Sequence, residues 1–228
     1  MTPVRVTPET IRSVPYRRNT VRSVSGCGTR SCRRRRRRYR CGMPASRNEE
    51  SRRAILDASI ALICEVGYDK VSIEAIARRA CVSKQTIYRW WPSVGAVILE
   101  AATRSLDPVV TFPDTGDILA DLRTQLTGII ELISTTGFGA AYRGLIAAGQ
   151  SDPRLLSALF DQIIEPNVTA FTARMELAQE RGELRADADV QTLRDVLYGV
   201  IEYRLLHGMP IEPGYIDAVL DIGFRGVR

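Results

Sequence analysis

Ser83, Lys84, Gln85 and Thr86 follow one another where a helix is expected to begin. Their chemistry is recognition rather than bond making. A lysine ammonium reaches the O6 and N7 acceptors of guanine, a glutamine amide pairs with adenine N6 and N7, and a threonine methyl meets the thymine methyl. Tyr88, Arg89 and Trp90, a few residues on, carry donors that suit phosphate oxygens, contacts that position a protein on a duplex without reading its sequence. Ser72, eleven residues before Ser83, stands at another expected helix start, and a helix N-terminus attracts phosphate. The alternative for each is a solvated polar position. The means for catalysis are scarce by comparison. His207 is the one histidine, and no G-x-S-x-G or phosphate-binding loop occurs. The cysteines at 27, 32 and 41 fit no zinc-binding spacing, so no metal site, no cofactor and no enzymatic activity are expected.

The elements that must position these donors are helices. Ser72 is placed to cap a helix whose Ile73, Ile76 and Ala77 form an apolar stripe, with Arg78 and Arg79 off it. Ala80-Cys81-Val82 breaks the pattern, and Ser83 caps a second helix over Lys84–Trp91, with Ile87 and Trp91 four apart on its inward face. That is a helix-turn-helix. Ahead of it a helix is predicted from Asn48 to Val66, with Glu49 and Glu50 in the first turn and Gly67 as the stop. Its apolar face holds Ile55, Leu56, Ile60, Leu62, Ile63 and Val66, with Cys64 among them and Tyr68 folding back onto it. Pro92-Ser93 opens a helix to about Asp107, and a linker with two prolines spans Pro108 to Thr115.

Further helices are predicted over 116–136, over Ala140–Gln150, and from Asp152-Pro153 to near Gly182 with a kink at Pro166. Two more run from Asp187 or Asp189 to His207, and from Glu212 to Phe224. With no two-residue alternation, the fold class is all-α, about nine helices, arranged as a three-helix head and a larger helical body. No run of eighteen apolar residues exists, so no transmembrane helix is expected. The absence of a signal-peptide core and of a disulfide framework points to a reducing, cytoplasmic setting.

The net charge of +6 is unevenly spread. Residues 1–42 carry thirteen arginines and one acid, a net of +12, so residues 43–228 carry 6 − 12 = −6. The basic character therefore belongs to an Arg-rich extension whose composition favours disorder. Three readings of it stay open: a nucleic-acid-binding arm, an address to another compartment, or a stretch outside the native protein, with translation starting at or near Met43. We take the last as the working expectation, giving an extension at 1–42, a DNA-binding domain at 43–95 and a body at 96–228.

A capped helix, a helix-turn-helix and a linking helix in this order resemble the TetR/AcrR family of transcriptional regulators. The matching residues are Gly67-Tyr68, Ser72-Ile73-Glu74-Ala75-Ile76-Ala77, Ala80-Cys81-Val82-Ser83, Thr86-Ile87-Tyr88-Arg89 and Trp91-Pro92-Ser93. RGELRADADV at 181–190 and YRLLHGMPI at 203–211 look, more loosely, like a C-terminal domain common in that family. The resemblance implies a homodimer on a near-palindromic double-stranded operator, most simply a repressor released by a small-molecule effector. It implies DNA contacts from Ser72, Ser83, Lys84, Gln85, Thr86, Tyr88, Arg89 and Trp90. Three departures stand out: Cys81 where the family usually has Gly, Trp90 where His is common, and Val94 where Lys is common. In the body, Tyr142, Phe160, Asn167, Phe171, Met175, Tyr198 and Tyr203 are candidates to line an effector pocket, ordinary core being the alternative. Leu193, Val196, Leu197, Val200, Ile201, Leu205, Val219 and Leu220 form the expected dimer face, a four-helix bundle in the resembling family. The competing function is non-specific nucleic-acid binding driven by the Arg run.

Overall fold

The computed structural model describes residues 44–106 and 111–224, with side chains from Asn48 onward. The Arg-rich extension and the linker residues 107–110 lie outside the described residues, and so do the expectations placed on them.

The described chain is all-helical. Helix α1 (Pro44–Val66) begins four residues earlier than the sequence predicts, since neither Gly nor Pro interrupts residues 45–66. Glu49 and Glu50 consequently fall in the second turn, outside the reach of the N-terminal dipole. Then come α2 (Ile73–Ala80), α3 (Lys84–Tyr88) and α4 (Val94–Thr103). The body is built from α5 (Ile118–Thr135), α6 (Phe138–Gly149), α7 (Pro153–Leu159), α8 (Glu165–Glu180), α9 (Val190–Leu206) and α10 (Tyr215–Phe224).

Helices α7 and α8 are continuous through a π-helical turn at Phe160–Ile164. The sequence predicts a kink at Pro166, and the irregularity falls just before it. Proline has no N–H to give to the carbonyl four residues back, and the backbone widens ahead of it so that the Glu165 amide reaches Phe160 O instead.

Two apolar clusters hold the described chain together. The first gathers Ile55, Leu56 and Ile63 of α1, Ile76 of α2, Ile87 of α3, Val97 and Ile98 of α4, Leu145 of α6 and Leu159 of α7. The second gathers Leu122 and Leu126 of α5, Phe171 and Met175 of α8, Leu193, Leu197 and Ile201 of α9, and Leu220 and Phe224 of α10. Phe171 and Met175, taken from sequence as pocket candidates, are fully buried here and belong to this core.

A buried ion pair knits the second cluster. Asp121 of α5, with none of its surface exposed, accepts from Arg174 Nη2 at 2.7 Å and from Arg174 Nε at 3.0 Å. It also accepts from the Thr115 hydroxyl at 2.7 Å, which pins the end of the linker segment. Arg174 Nη2 bonds Glu183 Oε2 at 3.1 Å, and that oxygen accepts the Ile118 amide at 2.9 Å. Burial alone would push the Asp121 carboxyl up, but the hydrogen bonds from Thr115 and Arg174 outweigh it and hold the group below its ordinary range.

Tyr68 packs against the first cluster, to which α1 contributes. It sits in a 3₁₀ turn (Tyr68–Lys70) with its ring over Gly144 of α6 and its hydroxyl near Gly95 of α4. A Cβ on Gly144 would lie 2.2 Å from Tyr68 Cγ, so only glycine admits the ring. Cys64 departs from expectation: it is exposed, although its Sγ borders Gly137 at the start of α6.

Candidate nucleic-acid interface and cavity

Serine hydroxyls set both helices of the turn motif. Ser72 Oγ accepts the Ala75 amide at 3.2 Å and Ser83 Oγ accepts the Thr86 amide at 3.1 Å, each satisfying an orphan donor of the first turn. Ser83 Oγ also lies 2.9 Å from Thr86 Oγ1, so these two hydroxyls already share a bond. Helix α3 is shorter than the predicted Lys84–Trp91, closing at Tyr88 with a turn that swings Trp91 inward. There Ile87 is 0% and Trp91 3% exposed, and the Trp91 indole donates to Glu100 Oε2 at 2.8 Å. Arg52 of α1 meets the other Glu100 oxygen at 2.7 Å, so α1, α4 and the end of the motif are bound through one carboxylate.

The turn contains the one described non-glycine residue at positive φ. Cys81 sits at φ 56°, ψ 38°, left-handed geometry that a Cβ disfavours. The resembling family usually places Gly here, which adopts this angle at no steric cost. Cys81→Gly is expected to stabilise the fold by about 0.5–1 kcal/mol, the relief of strain being partly offset by the freer unfolded chain. Thermal denaturation checks this, and a lower Tm for the variant would refute it.

The structure separates the expected donors into two groups. Lys84 Nζ is held by Glu74 at 2.8 Å, a pairing that lowers the carboxyl and raises the ammonium from their ordinary values through the hydrogen bond itself. Arg89 donates to Asn48 Oδ1 at 3.0 Å and lies 4.8 Å over the Trp90 ring. Trp90 is half-buried, edge-on to Trp91 at 5.4 Å. The side chains of Gln85 and Tyr88 have no intramolecular hydrogen bond among the described residues, and both residues are exposed, Tyr88 at 54%. These two need break nothing to meet a ligand. Val94 packs against the first cluster, so the position where a lysine is common serves the core here.

Between the two clusters lies a cavity of about 640 Å³, within the range of small-molecule sites. Four of the residues expected from sequence line it: Tyr142, Phe160, Asn167 and Tyr198. Phe171 and Met175 face away from it, because α8 after its π turn directs that stripe toward α5 and α9. Tyr203 is 56% exposed and stacks on His207, outside the wall. Leu106 beyond α4, Ile129 of α5, Phe138 of α6, Ile163 of the π turn and Val168 of α8 are among the apolar residues of the wall, with Gln191, Arg194, Asp195 and Glu202 supplied by α9. Glu202 was missed in the sequence reading. The available signal was a carboxylate near the end of the otherwise uncharged run LYGVIEY. The Tyr142 hydroxyl donates to Glu202 Oε1 at 2.9 Å, and burial together with that negative charge pushes the phenol well above its usual range.

The expected dimer face also divides. Leu193, Leu197, Ile201, Leu205 and Leu220 are buried within their own chain, at 7% exposure or less. What remains open on α9 and α10 is Val196, with Val200 and Val219 half-buried, joined by exposed Tyr203, Leu206 and Ile222. Helix α9 has two apolar stripes, and the inner one is consumed by α5, α8 and α10.

Among the described residues, no cluster of three or more His, Cys, Asp or Glu is placed to hold a metal ion, and no helix is long and apolar enough to cross a membrane.

Comparison with known proteins gives concordant matches in both halves. Residues 55–101 match the family described as bacterial regulatory proteins, tetR family, and residues 112–222 match the tetracyclin repressor-like C-terminal domain. The regulator YdeS of Bacillus subtilis, itself uncharacterized, is 34% identical over 183 residues, 80% of this chain and 92% of YdeS. The DNA-binding transcriptional repressor TetR of Mycobacteroides abscessus is 30% identical over 179 residues, covering 77% of this chain and 93% of the repressor. The crystal structure of the TetR family transcription regulator SCO0332 is 34% identical, with a TM-score of 0.65 over 78% of this chain and 99% of that one. The Bacillus subtilis regulator FadR, solved with stearoyl-CoA, shares the fold at a TM-score of 0.63 and 17% identity, over 77% of this chain and 99% of FadR.

Proposed function

From the premise that this chain belongs to the TetR family of DNA-binding transcriptional regulators, we propose that it is a homodimeric repressor without enzymatic activity. It acts in the cytoplasm on a near-palindromic operator and is released when a small molecule enters the cavity. The observation that carries this reading is the pairing of a capped, outward-facing α3 with a drug-sized cavity, joined through α4. That helix starts at Val94 beside the motif, and the turn beyond it places Leu106 in the cavity wall.

In this reading residues 43–95 are the head and 96–228 the body. Gln85 reads base edges, Tyr88 grips phosphate, and Lys84 reads once it has exchanged Glu74 for DNA. Ser83 and Thr86 frame the start of α3, while Ser72, Arg89 and Trp90 lie alongside and serve the backbone. Two copies pair through the open α9–α10 face of Val196, Val200, Tyr203, Leu206 and Ile222, which brings two α3 helices to successive major grooves about 34 Å apart. Occupation of the cavity shifts a two-state equilibrium of head positions, which demands that the effector bind the two states unequally.

Selection of bound sequences from a random DNA pool, run with the full chain and with residues 43–228, tests the proposal. A recovered palindrome with both proteins is expected. Enrichment without sequence preference, lost on deleting residues 1–42, would replace it with the Arg-arm reading. On the recovered site, Gln85→Ala is expected to cost about 1–3 kcal/mol and to relax preference at one position. Tyr88→Phe should weaken operator and random DNA alike. Equal losses on both DNAs for Gln85→Ala would remove its base-reading role.

A further inference from the structure

Resting on the reading of the cavity as the effector site, we infer that it selects a cationic amphiphile, an apolar drug-sized body bearing one protonated amine, and rejects carboxylates. The inference comes from the charges at the wall. Arg194 lies 2.6 Å from Asp195, so the cation at the wall already has its counter-charge. Arg143, on α6 nearby, is directed to the Leu205 carbonyl at 3.4 Å and is not part of the wall. No other Lys, Arg or His lines the cavity among the described residues. Glu202 is left as the uncompensated charge: one oxygen takes the Tyr142 hydroxyl, and the other has no protein partner among the described residues.

An anion entering this wall would be brought beside Glu202, with the one cation of the described wall, Arg194, already paired to Asp195, in surroundings that screen charge less than water does. A protonated amine meets a half-buried carboxylate and the faces of aromatic rings. Phe138 and Tyr142 are stacked at 5.8 Å with 20° between planes, and Phe160 and Tyr198 stand on the same wall. The phenol of Tyr142 holds its proton, so it orients Glu202 as a neutral donor. The Tyr198 hydroxyl is buried without a partner among the described residues, which marks a place for an acceptor oxygen on the ligand.

Titration calorimetry of the full chain with three probes of one skeleton tests the inference: 4-biphenylmethanamine, 4-biphenylmethanol and biphenyl-4-carboxylic acid. The ammonium is expected to bind about tenfold more tightly than the alcohol, and the carboxylate more weakly than either. Glu202→Gln should bring ammonium and alcohol within about twofold of each other. Carboxylate binding as tight as that of the ammonium, or an ammonium preference that survives Glu202→Gln, overturns the charge class alone. Binding that survives Val168→Trp, which fills the cavity, or no saturable binding by any probe, overturns the effector reading beneath it.

Discussion

Asp121→Ala is expected to lower folding stability by about 3–5 kcal/mol, a large part of the total for a domain of this size. The substitution leaves Arg174, 4% exposed, with a buried charge answered by Glu183 at 3.1 Å and, more distantly, by Asp114 at 3.9 Å. It also releases Thr115, whose amide and hydroxyl both end on Asp121. The desolvation of two ions means that the intact pair adds little over a well-packed apolar pair, so most of the loss is the penalty of an orphan. The double variant Asp121→Leu with Arg174→Met is therefore expected to recover at least half of it. Urea denaturation of the single and double variants reads both numbers, and a double variant no more stable than Asp121→Ala would refute the account. The pH dependence has a definite sign. A carboxyl held below its unfolded value near pH 4 contributes in full above that pH and progressively less as pH falls through the folded value. Wild type should lose stability over that acid range more steeply than the double variant.

Gly144→Ala is expected to cost about 2 kcal/mol, against the usual gain from replacing a helical glycine. The added Cβ would come within 2.5 Å of Tyr68 Cβ as well as against its ring, so the base of the side chain must move and rotation of its tip gives no relief. Tyr68 belongs to the turn joining α1 to α2, while α6 carries Phe138 and Tyr142 at the cavity. The strain therefore falls on the seam between the head and the cavity wall. Tyr68→Ala in the Gly144→Ala background is expected to cost less than the sum of the two single changes by about 1 kcal/mol or more, the coupling of residues in contact. Additive losses in thermal denaturation would mean that the two sites do not press on each other.

The head was legible in detail because its structure is made of local interactions. Ser72 and Ser83 cap the helices that follow them by accepting the amide three residues ahead, Ile73, Ile76 and Ala77 repeat at helical spacing, and Asp152-Pro153 starts α7 as its residue types require. The irregularity associated with Pro166 was legible for the same reason, although its form, a π turn ahead of the proline, was not. What escaped were the engagements of the donors. Lys84 reaches ten positions back to Glu74 and Arg89 forty-one back to Asn48, and no spacing rule joins residues that far apart.

The sequence by itself determined the helices, the turn motif, the donors available to a DNA groove and the acidic balance of everything after residue 42. Each of these follows from neighbours within a turn or two, or from a simple count of charges. Tertiary structure alone decided which of several equivalent apolar stripes became core, cavity or open face. Leu197 and Val196 are adjacent on one helix and alike in chemistry, yet one is fully buried and the other 41% exposed. Phe171 and Tyr198 touch at 5.5 Å, yet the first fills the core and the second lines the cavity. Burial depends on helices contributed from far along the chain, and helical periodicity marks a face without saying what covers it. The same holds for Glu202: its charge is visible in the sequence, but its place at the cavity, beside a described wall whose one cation is already paired, is set by the fold.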